Sequence, residues 1–259
     1  MHDGTAPASF PVLEAGSGWG AVDFLSDLHL QAGAAATFDA WRHWMRTTPA
    51  DAVFVLGDLF EAWVGDDAAV QPGFAAECAQ VLREAAERRP LYFMAGNRDF
   101  LVGDALAAAC GFSRLPDPVV LVFAGARWLL SHGDLLCLSD TAYQRYRAQV
   151  HAPDWIAQFL RKPLAQREAV AHQMRADSQT HQRALPGYAD VDDGAVRHWL
   201  RAANATTLIH GHTHRAADHT LGEGLSRIVL SDWDLDAAPP RAQVLRLERN
   251  GSLRRIDVA

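Results

Sequence analysis

Cysteine is scarce in this chain of 259 residues: there are three, Cys78, Cys110 and Cys137, far apart and in no CxxC pair. An odd, scattered count excludes a disulfide framework and fits reduced thiols kept as small buried hydrophobes. Positive charge is short as well. Lys and Arg number 24 against 31 Asp and Glu, a net charge of −7, so nucleic acid is not an expected partner. No run approaches the ~18 apolar residues that suggest a membrane span. Residues 1–18 lack both a positive start and an apolar centre, so they do not read as a signal peptide. A flexible extension is expected over residues 1–19. Internal repeats and low-complexity linkers are missing too. These absences leave a soluble protein, or one that at most lies on a membrane surface.

What is present is core-forming material. Apolar residues make up 49% of the chain, with eight tryptophans, enough for one large α/β domain. That domain is expected over residues 20–259. From Ala21 strands and helices alternate. Val22 to Ser26 is a short extended run, and Thr37 opens a helix with Phe38, Trp41 and Met45 at helical spacing. Val53 to Leu56 is a continuous apolar strand, of the kind covered on both faces. A helix over 74–89, a strand over 91–95 and a short alanine-rich helix after Gly103 follow. Strands are expected at 119–123 and 128–131, a helix at 196–203, and strands again at 206–210, 226–230 and 242–247. Between them, about residues 140–190, lies a helical insertion with an apolar stripe of Trp155, Ile156, Phe159, Leu160 and Leu164. Across 145–183 it reverses the sign of the protein, with seven Lys/Arg against three acids.

Each of several apolar strands ends in a polar cluster: Ser26-Asp27-Leu28-His29, Gly57-Asp58, Gly96-Asn97-Arg98-Asp99, His132-Gly133-Asp134 and Gly211-His212-Thr213-His214. Sheets of α/β proteins place their sites at the carboxyl ends of strands, so these loops are expected to converge. On an extended strand end, residues two apart point the same way, which lets Asp27 and His29, or His212 and His214, address one spot. Taken singly, each cluster is an ordinary turn, cap or core histidine. Together they supply mixed nitrogen and oxygen ligands suited to Mn²⁺, Fe or Zn²⁺ rather than Ca²⁺, and more of them than one tetrahedral ion needs. Two ions sharing a carboxylate is the economical reading, with Asp58 on its tight Gly turn as the bridge. Two ions ~3.5–4 Å apart favour hydrolysis of phosphoesters and phosphoanhydrides, and the planar fork of Arg98 suits a phosphate clamp. Asp66 and Asp67 fit a turn and a helix cap better than ligands, and His210 fits core packing.

In this order the motifs Asp-x-His, Gly-Asp, Gly-Asn-Arg-Asp, His-Gly and Gly-His-x-His resemble the calcineurin-like metallophosphoesterases over roughly residues 21–232. The resemblance implies a four-layer α-β-β-α sandwich. It assigns Asp27, His29, Asp58 and His214 to one ion, and Asp58, Asn97, His132 and His212 to the other, with Asp58, His132 and His212 catalytic. The longer runs Gly57 to Asp67, Gly96 to Leu101 and His132 to Cys137 are similar to the branch of the family in lipid A biosynthesis. That likeness implies two Mn²⁺ per chain, a UDP-linked diacylated glucosamine as substrate, and UMP plus the diacylated sugar 1-phosphate as products. It also implies a peripheral place on the cytoplasmic face of the inner membrane. Substrate contacts carried over are Asn97, Arg98, Asp140, Ser178 and His212, with Gln182 and Arg183 standing where the branch has an Asn and a Lys. The insertion then becomes a lid over the lipid chains. Oligomeric state is left open, with a monomer compatible. Two other readings stay open: a sibling hydrolase of dinucleoside polyphosphates or other soluble phosphoesters, and a non-catalytic scaffold on the same fold.

Overall fold

The computed structural model describes residues 4–184 and 189–258 and, for residues 175–184, the backbone alone. Twelve strands are described, β1 (Val12–Glu14), β2 (Ala21–Leu25), β3 (Ala52–Leu56), β4 (Leu91–Met94), β5 (Ser113–Leu115), β6 (Val119–Phe123), β7 (Ala126–Ser131), β8 (Thr207–His210), β9 (Ala217–Gly222), β10 (Leu225–Val229), β11 (Gln243–Glu248) and β12 (Leu253–Asp257). Helices are α1 (Ala35–Thr47), α2 (Phe74–Ala86), α3 (Asp104–Cys110), α4 (Thr141–Val150), α5 (Pro153–Leu160), α6 (Leu164–Ala184) and α7 (Asp193–Ala203). The strands form two six-stranded sheets, ordered β1-β6-β7-β8-β10-β9 and β12-β11-β2-β3-β4-β5.

Three apolar clusters separate four layers, as the resemblance implied. The continuous run of β3 explains how. Val53 and Val55 face α1 and α2 in one cluster, while Phe54 and Leu56 face the other sheet in a second, with Leu121, Leu130 and Ile209. A strand covered on both faces needs no alternation. On the far side Leu129 and Leu208 meet Val196, Trp199 and Leu200 of α7 in the third cluster. The helix begins where Asp192 accepts a hydrogen bond from the Ala195 amide at 2.8 Å, and ends on Asn204 in the left-handed conformation.

Of the stretch 1–19, expected to be a flexible extension, residues 4–19 are described. From Gly4 on they are docked: β1 pairs in parallel with β6, Trp199 Nε1 donates to the Gly4 carbonyl, and Phe10 meets the Trp199 ring edge-on. Trp19 packs edge-on against Phe54 and Tyr92. The apolar anchors Phe10, Leu13 and Trp19 are few and spread among small residues, which hides them from composition.

The insertion is α4, α5 and α6, and it packs on the first cluster through Phe159, Trp155, Ile156 and Leu164. Its expected stripe divides: Phe159 is buried, whereas Leu160 is 41% exposed. Two charged staples hold it. Arg147 of α4 donates to Asp134, and Arg167 of α6 pairs with Asp67 while its Nη1 also reaches the Val64 carbonyl. Part of the basic excess is thus spent inside the protein. No helix among the described residues is long and apolar enough to cross a membrane.

Candidate metal centre

Five strands deliver their C-terminal ends to one place. Asp27 and His29 follow β2, Asp58 follows β3, Asn97 follows β4, His132 follows β7, and His212 and His214 follow β8. Leaving a strand this abruptly needs unusual backbone. Asp27, His29, Asp58, His212 and His214 all have positive φ, between 48° and 68°. Ordinary residues seldom adopt that region, and where they do the site is commonly functional. Two glycines make room for these turns. A Cβ on Gly96 would collide with the Asp58 carboxylate, and one on Gly211 would collide with Asp27 and Ser26.

The ligand atoms converge. Asp27, His29 and His214 offer atoms that lie within 4.8 Å of one another, and so do Asp27, Asp58 and His132. Asp27 belongs to both groupings and Asp58 to one. His29 Nε2 stands 3.1 Å from His214 Nε2, and His214 Nε2 lies 3.3 Å from Asp27 Oδ1. Asn97 Oδ1 sits between His132 Nε2 at 3.1 Å and His212 Nδ1 at 2.9 Å. Asp58 Oδ1 is 3.7 Å from His132 Nε2. Two imidazole nitrogens stand at hydrogen-bonding distance beside buried carboxylates, the tautomer deciding which of them carries the proton. A cation satisfies them all, and the donor set fits a mixed N/O metal site.

A supporting layer fixes the ligands. His132 Nδ1 bonds the Leu56 carbonyl at 3.0 Å, which turns Nε2 to the site. His29 Nδ1 is 3.0 Å from Glu61 Oε2, off the hydrogen-bonding angle, and Arg98 lies 3.9 Å from the other Glu61 oxygen. Asp99 accepts from the amides of Asp58, Leu59, Phe60 and Gly96, binding two ligand loops together. Glu61 and Asp99 were not expected to have these roles; a carboxylate three residues beyond Asp58 and two beyond Asn97 was the only signal.

Charge follows the geometry. In the metal-free protein burial works against ionised Asp27, yet its hydrogen bond to His214 and the charges of His214, His132 and His29 hold its pKa far below the ordinary range. Burial likewise opposes a charged His132, but Asp58, Asp27 and Asp134 outweigh it and raise its pKa to about 9. Burial and the neighbouring His132 push His212 down to about 3. Desolvation, with Asp58 alongside, lifts Asp99 to about 7. A site so strongly polarised is typical of chemistry rather than of packing.

From the ligands a cavity of about 510 Å³ runs beneath the insertion. Its wall carries His29, Asp58, Asn97, Arg98, His212 and His214 at one end. Phe100, Trp155, Phe159 and Met174 line the other, with Trp155 stacked on Phe159 at 4.8 Å. Asp140 lines the cavity and also caps α4 by accepting from the Tyr143 amide at 2.9 Å. Ser178, Gln182 and Arg183 have side chains outside the described residues. His210 stays out of the site: it is buried, its Nδ1 meets the Gly211 carbonyl, and burial lowers its pKa to about 4. Asp66 takes the amides of Gly103 and Leu106, capping α3 from a distant loop. Tyr143 and Arg147, both on the cavity wall, were absent from the expected contacts because an amphipathic insertion does not announce which side chains face inward.

A family model described as calcineurin-like phosphoesterase matches residues 21–216. A UDP-2,3-diacylglucosamine hydrolase of Xanthomonas axonopodis pv. citri (strain 306) is 44% identical over 244 residues, 88% of this chain and 96% of that one. Another, from Bordetella pertussis (strain Tohama I), is 44% identical over 234 residues, 87% of this chain and 91% of that one. Among solved structures, vacuolar protein sorting 29 from Cryptosporidium parvum is similar at a TM-score of 0.48 and 15% identity, covering 92% of this chain and 96% of that one.

Proposed function

The chain belongs to the calcineurin-like phosphoesterase family, and on that premise we propose that it is the hydrolase that cleaves the pyrophosphate of UDP-2,3-diacylglucosamine, giving UMP and 2,3-diacylglucosamine 1-phosphate. One observation carries this reading: a single cavity joins the converging ligands to an apolar compartment roofed by the insertion. Each CH₂ withdrawn from water is worth ~0.8 kcal/mol. An enzyme for a diacylated nucleotide sugar therefore needs polar chemistry and apolar shelter in one space, which a hydrolase of soluble phosphoesters does not.

Asp27, His29, Asp58 and His214 would hold one Mn²⁺, and Asp58, Asn97, His132 and His212 the other, with Asp58 shared. The pair, when bound, supplies Lewis-acid neutralisation and an acidified water for in-line displacement at phosphorus. The chain's own residues do the rest. Arg98, whose amide also anchors Asp58 Oδ1 at 2.8 Å, offers a planar fork to the attacked phosphate. His212 lies close enough to Asn97 to act on the same oxygen face. The leaving group is a phosphate monoester, stable as an anion, so no strong general acid is required. Asn97, Asp140, Ser178, Gln182 and Arg183 are the further substrate contacts. A diacylated substrate favours a membrane surface, and the proposal includes a peripheral place on the cytoplasmic face of the inner membrane. Mn²⁺-loaded protein assayed on UDP-2,3-diacylglucosamine and on a dinucleoside tetraphosphate tests the proposal. Turnover of the lipid substrate is expected, and turnover of the tetraphosphate alone would overturn it.

A further inference from the structure

A diphosphate linkage sets two charges in the cavity, and Arg98 with the ligand set accounts for one phosphorus. The cavity wall holds a second cation. Arg147 stands on α4, whose inward face carries Tyr143, Arg147, Val150 and His151, residues three to four apart as helix geometry requires. The first turn of that face is at the chemistry, with the Tyr143 ring 5.8 Å from that of His212. The last turn is at the apolar end, where His151 stacks on Phe100 at 4.5 Å. At ~1.5 Å per residue, Arg147 is displaced ~6 Å along the axis from each of Tyr143 and His151. It occupies the boundary between the polar and apolar ends.

Its orientation is fixed from behind. Asp134, 2% exposed in its side chain, accepts Arg147 Nε at 2.6 Å and the Tyr143 hydroxyl at 2.5 Å. That contact uses one of the five guanidinium N–H groups. Among the described residues no other acceptor holds the Nη groups, and the side chain keeps 19% exposure. A guanidinium pinned at Nε with its outer edge available is arranged for bidentate binding of a phosphate.

We propose that Arg147 binds the phosphate that departs with the sugar, with Asp134 as its positioning residue. This rests on the diphosphate reading above. As a water oxygen bonds to the nucleotide-side phosphorus, the bond from that phosphorus to the bridging oxygen breaks. The electron pair stays on the bridging oxygen, so the sugar phosphate leaves with one added negative charge. The Nη groups of Arg147 donate hydrogen bonds to the oxygens that carry that charge, and Arg147 stays protonated and transfers no proton. The protons of the water are released as the two monoesters ionise in solution.

The test pairs two substrates with two ligands. Arg147→Met should lower kcat/KM on UDP-2,3-diacylglucosamine about 10- to 100-fold, the range for a lost charge-assisted contact. The loss on bis(4-nitrophenyl) phosphate, which has no second phosphate, should be at least about tenfold smaller. In metal-depleted protein, tryptophan fluorescence should register binding of diacylglucosamine 1-phosphate that Arg147→Met weakens about tenfold or more. Affinity for phosphate-free diacylglucosamine should not change, and Arg147→Lys should recover part of the loss. If Arg147→Met folds poorly because Asp134 is left unpaired, the double variant Asp134→Asn/Arg147→Met should show the same discrimination. Equal losses on both substrates with unaltered affinity for the sugar phosphate would overturn the proposal. Wild-type protein that cleaves the nitrophenyl ester but not the lipid diphosphate would instead overturn the function reading, while the binding arm still reports on Arg147.

Discussion

The two ends of the cavity are built on different terms. The ligand end comes off five strand ends, with five ligands held at positive φ and Asp27, Asp58 and His132 almost wholly buried. Every displacement there is resisted by the two packed sheets. The apolar end is a roof of three helices, joined to the body by a partly buried apolar face and two charged staples. The difference divides the labour. Metal-ligand geometry needs atoms fixed to fractions of an ångström and sits on the rigid frame, whereas an apolar compartment needs only apolar area and sits on an insertion.

If that division holds, damage at the ligand end should stop chemistry on every substrate. Asp58→Ala and His132→Ala should each lower kcat by about a thousandfold or more, with circular dichroism unchanged; near-normal turnover in either would end the two-metal assignment. Gly96→Ala should act almost as severely without removing any ligand, because its Cβ meets Asp58. A loss of about a hundredfold in activity is expected from misplacement of this kind, with weaker Mn²⁺ binding by calorimetry. Damage at the roof should separate substrates. Asp67→Asn, which weakens the Arg167 staple, should raise KM for the lipid substrate several-fold while turnover of bis(4-nitrophenyl) phosphate is kept. A charge-assisted bond of about 1–3 kcal/mol predicts a melting temperature lower by a few degrees.

A further effect is one of pH, and it too belongs to the rigid end. His132 must be neutral to bind a metal, yet in the metal-free protein it keeps its proton up to about pH 9. Metal affinity should therefore rise by up to tenfold per pH unit between about 7 and 9, with a proton released on binding. Stability of the metal-free fold should run the other way. The folded pKa is raised above the unfolded value of 6.5, so the contribution is full below about 6.5 and lost as pH rises through about 9. Titration calorimetry in buffers of different ionisation enthalpy checks the binding, and denaturant titration of the metal-free protein across this pH range checks the stability.

The same division decided what could be read from the chain alone. Ligand-end residues sit at strand ends in short motifs, where a short apolar run and, before Asp58, Asn97 and His212, a Gly mark their place. Asp27, His29, Asp58, Asn97, His132, His212 and His214 are brought together on that basis. The apolar runs of β2, β3, β4, β6, β7, β8, β10 and β11 were legible for the same reason. β1, β5, β9 and β12 were not, because they are edge or near-edge strands whose polar and exposed residues blur the pattern. The insertion resisted reading for another reason. Helical periodicity separates inside from outside, but it cannot tell Phe159, which is buried, from Leu160, which is not. Nor could it pair Arg147 with Asp134 or Arg167 with Asp67, 100 residues away.

The central claim is hydrolysis of UDP-2,3-diacylglucosamine by attack at the nucleotide-side phosphorus. Turnover with Mn²⁺ in H₂¹⁸O, read by mass spectrometry of both products, tests it most directly. The account predicts one ¹⁸O in UMP and none in the sugar 1-phosphate; label in the sugar phosphate, or no turnover of this substrate, would contradict it.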